Sequence, residues 1–183
     1  MRKLLFYILI SCLLLAGCSE GDTASEHVTM EQLMINEGIE YEELLVSAPY
    51  DSEYGFAIYT TEDGIGNAQF STVDGQWHYT GSTAFSSENT GNSPLISFGM
   101  TYWEMSSVSV SDRQPVVIIA GEITAEVSRV EVEFDEEVKD GKLVSGAERN
   151  IWYWVGGYQN LDHFEVRAYD QDDQVIATKR RPD

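Results

Sequence analysis

Few kinds of side chain in this sequence can do chemistry. Its three histidines, His27, His78 and His163, show none of the HxH, HExxH or CxxC spacings that hold transition metals. His78 and His163 adjoin Trp77 and Phe164, which strand alternation turns inward, so both imidazoles are expected to face solvent. No G-x-S-x-G elbow marks a serine nucleophile. Two acidic groups, Asp135-Glu136-Glu137 with Asp140 and Asp170 with Asp172 and Asp173, offer oxygen ligands to Ca²⁺. Neither has the glycine and closing glutamate of an EF-hand loop, and both fall at strand ends, where polar turn residues belong anyway. Carboxylate pairs suited to glycoside hydrolysis arise by chance among 31 acidic residues. Aromatic residues are the better candidates: Trp152 with Trp154, and Trp77 with Tyr79, share strand faces. Such a face stacks a sugar ring or a peptide when open, and is core when packed. The sequence therefore assigns no catalytic residue, no metal and no cofactor, and offers Trp152, Trp154, Trp77 and Tyr79 as a ligand platform.

The period of the apolar residues shows what must hold these groups. Thr29 to Asn36 suits one short helix, with Thr29 as N-cap, Gln32 placed to complete a capping box, and Gly38 as the stop. After it the period becomes two. Tyr41 to Ser47 is a first strand, and Tyr54 to Thr61 sets Tyr54, Phe56, Ile58 and Thr60 on one face. Glu62 to Asn67 is turn chemistry, and Ala68, Phe70 and Thr72 alternate after it. Asp74-Gly75 marks a hairpin leading to Trp77 and Tyr79. Ser86 to Pro94 then forms a polar boundary loop. Beyond it Ile96, Phe98, Met100 and Tyr102 share a face, while Val116 to Ala120 is a continuous β-branched run suited to a strand covered on both sides. Val130, Val132 and Phe134 point inward between Arg129, Glu131, Glu133 and Asp135. Ile151 to Val155, Phe164 to Ala168 and Gln174 to Thr178 complete the strands.

At the N-terminus, Arg2 and Lys3 precede an apolar run from Leu4 to Leu15, and Ala16-Gly17-Cys18 follows. This is the layout of a secretory signal peptide. The 14 residues from Leu4 to Gly17 fall short of the roughly 20 that a spanning helix needs. The ending Leu15-Ala16-Gly17-Cys18 resembles the lipobox of bacterial lipoproteins. That resemblance implies cleavage before Cys18, a diacylglyceryl group on its thiol, and an address at the extracytoplasmic face of the cell membrane. Cys12 would leave with residues 1–17, so no thiol would remain for a disulfide, a zinc site or a nucleophile. Two or more acyl chains hold a protein firmly to a bilayer, whereas one binds reversibly. Residues 18–28 then read as a flexible tether.

Charge limits the partners. Without Arg2 and Lys3 the formal net charge of −20 becomes −22. No Lys or Arg occurs from Leu4 to Asp112, where 16 acidic residues stand. Nucleic acid, which needs a basic footprint, is excluded. An anionic membrane surface repels such a body, so the lipid on Cys18 is the expected source of membrane affinity. Dense carboxylates also keep an exported domain hydrated.

Regular short strands between turns predict a mainly β fold, an antiparallel sandwich over 91–183 with a smaller N-terminal β-meander and short helix over 29–90. The strands Val130-Glu131-Val132-Glu133-Phe134, Ile151-Trp152-Tyr153-Trp154-Val155 and Phe164-Glu165-Val166-Arg167-Ala168-Tyr169 look like those of an Ig-like sandwich. In style the chain is similar to small lipoproteins of Gram-positive bacteria, although it lacks the Cys-Trp-Cys core of antibody domains. The function expected is a non-enzymatic binding or interaction module of the cell envelope. The alternative is an envelope hydrolase or a carbohydrate- or peptide-capturing module with an exposed aromatic face.

Overall fold

The computed structural model describes residues 28–86, 95–102, 116–135, 137–157 and 163–180. Residues 1–27, with Cys18, His27 and all of the tether but Val28, the loop residues 87–94 and Glu136 lie outside them. The described chain is mainly β, with one short helix and three antiparallel sheets.

Helix α1 (Met30–Asn36) begins as its sequence requires, with the Thr29 hydroxyl accepting the Gln32 N–H at 3.1 Å. The reciprocal half of the capping box is absent, because the Gln32 side chain runs forward and donates to Asn36 Oδ1. A seven-residue helix cannot stand on its own hydrogen bonds. Its stability comes from burying Met30 and Met34 on the sheet below.

That first sheet is a four-stranded meander, β1 (Glu43–Pro49), β2 (Tyr54–Thr61), β3 (Gly64–Val73) and β4 (Gln76–Ser86), paired in chain order. Asp74 and Gly75 join β3 to β4 in a two-residue turn with φ of 52° and 77°. Positive φ at both central positions matches the right-handed twist of the flanking strands.

The second sheet runs β5 (Gly99–Tyr102), β6 (Val116–Ile123), β10 (Asn150–Gly157), β9 (Lys142–Ser145). The third runs β12 (Val175–Arg180), β11 (Phe164–Tyr169), β7 (Arg129–Phe134), β8 (Glu137–Asp140). β8 and β9 are consecutive but belong to different sheets. The chain crosses between them at Gly141, whose N–H donates to the Val130 carbonyl at 2.8 Å.

The second sheet is the middle layer. Val117, Ile119, Trp152 and Trp154 face the third sheet and meet Val130, Val132, Phe134, Phe164 and Val166. Val116, Ile118, Ala120, Ile151 and Tyr153 face the meander and meet Phe56, Ile58 and Ile65. The unbroken apolar run at 116–120 is thus covered on both sides, as its composition predicts. On the meander's far side, Ala57, Tyr59, Ala68 and Phe70 pack beneath α1. The order of layers is helix, meander, middle sheet, outer sheet.

The solvent face of the outer sheet carries most of the paired charge. Arg129 pairs with Glu131 and Asp173 and lies 3.7 Å from the Tyr169 ring centre. Arg167 pairs with Glu133 and Glu165, and Arg180 with Glu165. Arg129, Glu131, Glu133, Glu165 and Arg167 are outward positions in the alternation of β7 and β11, while Asp173 comes from the β11–β12 turn and Arg180 from β12.

Candidate binding cleft

The four aromatic residues of the expected platform fall into two separate layers. Trp152 is fully buried between the middle and outer sheets, and its indole N–H donates to the Ser97 carbonyl at 2.8 Å. Trp154 is half-buried against the same core, its ring 4.8 Å from that of Phe134. The face they share is closed by the outer sheet, so of its two readings, open platform or packed core, it is core, and Trp152 and Trp154 form no platform there. The reason is chain pairing that strand periodicity does not encode: β7 and β11 fold back over this face.

Trp77 and Tyr79 lie on the opposite side of the protein, on the meander face that carries α1. Tyr79 is half-buried with its ring edge-on to Phe70, and its hydroxyl donates to Ser82 Oγ at 2.8 Å. Trp77 is also half-buried, but it forms one wall of a cleft of about 550 Å³. The cleft opens between the first turn of α1, the end of β1 and the β3–β4 hairpin. Val28, Met30, Leu33 and Pro49 supply apolar lining, and Gln76 and His78 bring polar groups to it. His78 is exposed, as expected.

Local packing makes this cleft. Met30 and Trp77 converge over Gly55, where an added Cβ would stand 2.2 Å from Met30 Cε and 3.2 Å from Trp77 Cη2. The bare strand position lets both large side chains lie flat on β2. The helix is moored nearby, where Tyr41 donates from its hydroxyl to Glu31 Oε1 at 3.1 Å and lies beside Tyr59 with ring centres 6.0 Å apart. Burial, then that contact with Glu31, raises the Tyr41 phenol above its ordinary value. Burial likewise raises Tyr59, against the opposing hydrogen bond with Ser82. Chemically, an apolar trough with an indole wall and polar rim groups can take a ring or an aliphatic side chain and orient it by hydrogen bonds.

No protein-family model, curated protein or solved structure matches this chain.

A second hollow, about 410 Å³, lies by the β11–β12 turn between Leu95, Ile176, Glu126, Asp170 and Asp172. Its acids include two of the candidate Ca²⁺ ligands, but Asp170 Oδ1 is occupied by the N–H groups of Asp172 and Gln174, each at 2.9 Å. Asp173 turns to Arg129, and Glu137 pairs with Lys139 at 2.7 Å. Among the described residues no group of three His, Cys, Asp or Glu side chains converges to hold a metal.

Sequence reasoning missed Met30 and Pro49 as cleft residues, and Gly55 as the position beneath Met30 and Trp77. A methionine in the first turn of an amphipathic helix followed by a glycine within a strand was the available signal. Their meeting depends on docking α1 across β2 and β4, which only the tertiary structure gives.

Proposed function

We propose that this chain is a lipid-anchored binding module of the cell envelope, held at the extracytoplasmic face of the plasma membrane through Cys18, with the Trp77 cleft as its ligand-receiving surface. The observation that carries the reading is the N-terminal series: two basic residues, an almost wholly apolar run from Leu4 to Leu14, then Leu15-Ala16-Gly17-Cys18. What supports it further is the short distance in sequence from Cys18 to Met30, the first core residue. The twelve residue steps from Cys18 to Met30 span at most about 43 Å when fully extended, so the body stays close to the bilayer. The cleft begins at Val28 and Met30, at the end of the described chain nearest the proposed anchor. A body rich in carboxylates remains hydrated at such a surface and gains little from the lipid headgroups themselves. The ligand class favoured by an indole wall over an apolar floor is a ring-bearing or aliphatic group, such as a sugar face or a peptide side chain.

The anchor is tested by replacing Cys18 with Ser and fractionating the cells. Loss of mature protein from the membrane fraction, or accumulation of full-length precursor, supports the reading. Equal membrane retention of mature-size wild type and C18S overturns it.

A further inference from the structure

The edges of the three sheets are not protected alike. Edge strand β1 carries Glu43, which accepts the Ala147 N–H at 2.8 Å, and it ends on Pro49. β8 (Glu-Val-Lys-Asp) and β9 (Lys-Leu-Val-Ser) are four residues long and charged, and β5 also covers four of the described residues. β12 bears Arg180 and turns Lys179 inward, 9% exposed, its Nζ without a hydrogen-bond partner. Charge, proline, shortness and inward-pointing charge are among the devices that keep a sheet edge from pairing. Every one of these edges has at least one.

β4 has none of the four. It is eleven residues long, Gln76 to Ser86, with no Asp, Glu, Lys, Arg or Pro. Among the described residues it pairs only with β3, so the ladder groups of its other side are unmatched by any described strand. One bulge interrupts it, because Gln69 pairs with Gly81 while Phe70 pairs with Tyr79 and Thr80 is extra. The regular stretch beyond the bulge runs from Gly81 to Ser86, where Ser82, Thr83 and Ala84 are exposed.

We propose that two copies of this chain pair through this edge, β4 against β4, antiparallel about a two-fold axis at Thr83. The choice of a second copy rests on charge, shape and symmetry. Two bodies of formal charge −20 repel one another unless they meet on neutral surface, and from Gly64 to Ser86 the only charged residue is Asp74. A foreign extended peptide gains its specificity from pockets beside the edge, and Gly81, Ser82, Thr83 and Ala84 are too short to wall such pockets. An isologous contact needs only self-complementarity, which a neutral antiparallel strand supplies. Ladder groups alternate along a strand, so an antiparallel copy matches only when the axis passes through a residue. With the axis at Thr83, the hydroxyl-bearing Thr83 side chains face each other, a favourable cross-strand pair. Phe85 then lies opposite Gly81 of the copy, an aromatic residue covering an edge glycine. The two meanders become one eight-stranded sheet.

The test uses the full-length chain in mild detergent. Sedimentation should give twice the monomer mass for wild type, and the monomer mass for Thr83→Lys, which sets like charges across the axis. In membranes, Thr83→Cys should give an oxidant-dependent cross-linked dimer, while wild type and Gln174→Cys, at the distant β11–β12 turn, should not. The cross-link carries the test if T83K fails to fold. A monomeric wild type at every concentration, a doubled mass that survives in folded T83K, or cross-linking of T83C no stronger than of Gln174→Cys would each overturn the proposal. So would a monomeric chain whose β4 captures a different protein. None of these outcomes bears on the anchor at Cys18.

Discussion

Truncating Ile118 to alanine tests whether the meander and the sandwich share a core. Ile118 is 1% exposed and meets Phe56, Ile58 and Ile65 of the meander. Its neighbour Ile119, fully buried, meets the outer sheet on the opposite face of β6. If both faces are covered, each Ile→Ala change removes buried methyl groups and leaves a cavity, at a cost of about 2–5 kcal/mol. Were the meander a separate body, Ile118 would lie on open surface, where substitutions change stability by less than about 0.5 kcal/mol. Urea unfolding followed by circular dichroism separates the two cases. With a slope of about 2 kcal/mol per molar, a loss of about 3 kcal/mol lowers the midpoint by about 1.5 M. The structure requires comparable shifts for I118A and I119A. A full shift for I119A beside a negligible one for I118A would refute the middle-layer assignment.

Two other perturbations follow from named contacts. Gly121→Ala places a Cβ 1.7 Å from the Ser97 carbonyl oxygen, and that backbone is pinned by Ser97 N–H to Glu122 O and Glu122 N–H to Ser97 Oγ. A loss of about 3 kcal/mol is expected from such overpacking, and a melting temperature equal to wild type would contradict it. At Glu165, burial alone would raise the carboxyl, but hydrogen bonds from Arg180 and Arg167, both at 2.6 Å, outweigh it and hold the pKa below its ordinary value. A depressed folded-state pKa contributes stability that is present above the unfolded value and lost as pH falls through the folded one. Melting temperature should therefore fall more steeply for wild type than for Glu165→Gln as pH drops below about 5. Parallel curves would show that the two arginines do not hold this carboxylate.

Local chemistry made much of this fold readable. Asp74-Gly75 supplies the two positive φ angles of its hairpin, and Val130, Val132 and Phe134 alternate cleanly because one face of β7 is core and the other is ion pairs. The run Val116 to Ala120 lost its alternation for the converse reason, being apolar on both faces. β8 and β9 were invisible. They are four-residue edge strands; of their residues only Glu137 and Asp140 of β8 stood out, as part of an acidic group at a strand end, and Lys142–Ser145 is too short to show a period. The platform was half-legible, since the sharing of a face by Trp152 and Trp154 follows from strand alternation. What covers that face, and the docking of α1 that leaves Trp77 beside a cleft, are set by contacts between residues far apart in sequence.

The anchor on Cys18 is the claim on which the functional reading stands, and the mass of the mature N-terminal peptide tests it most directly. Protein extracted from membranes should begin at Cys18, with a peptide heavier than its sequence by a diacylglyceryl group or more. A peptide beginning at Met1, or at any residue other than Cys18, or an unmodified Cys18 in membrane-bound protein, would contradict the account.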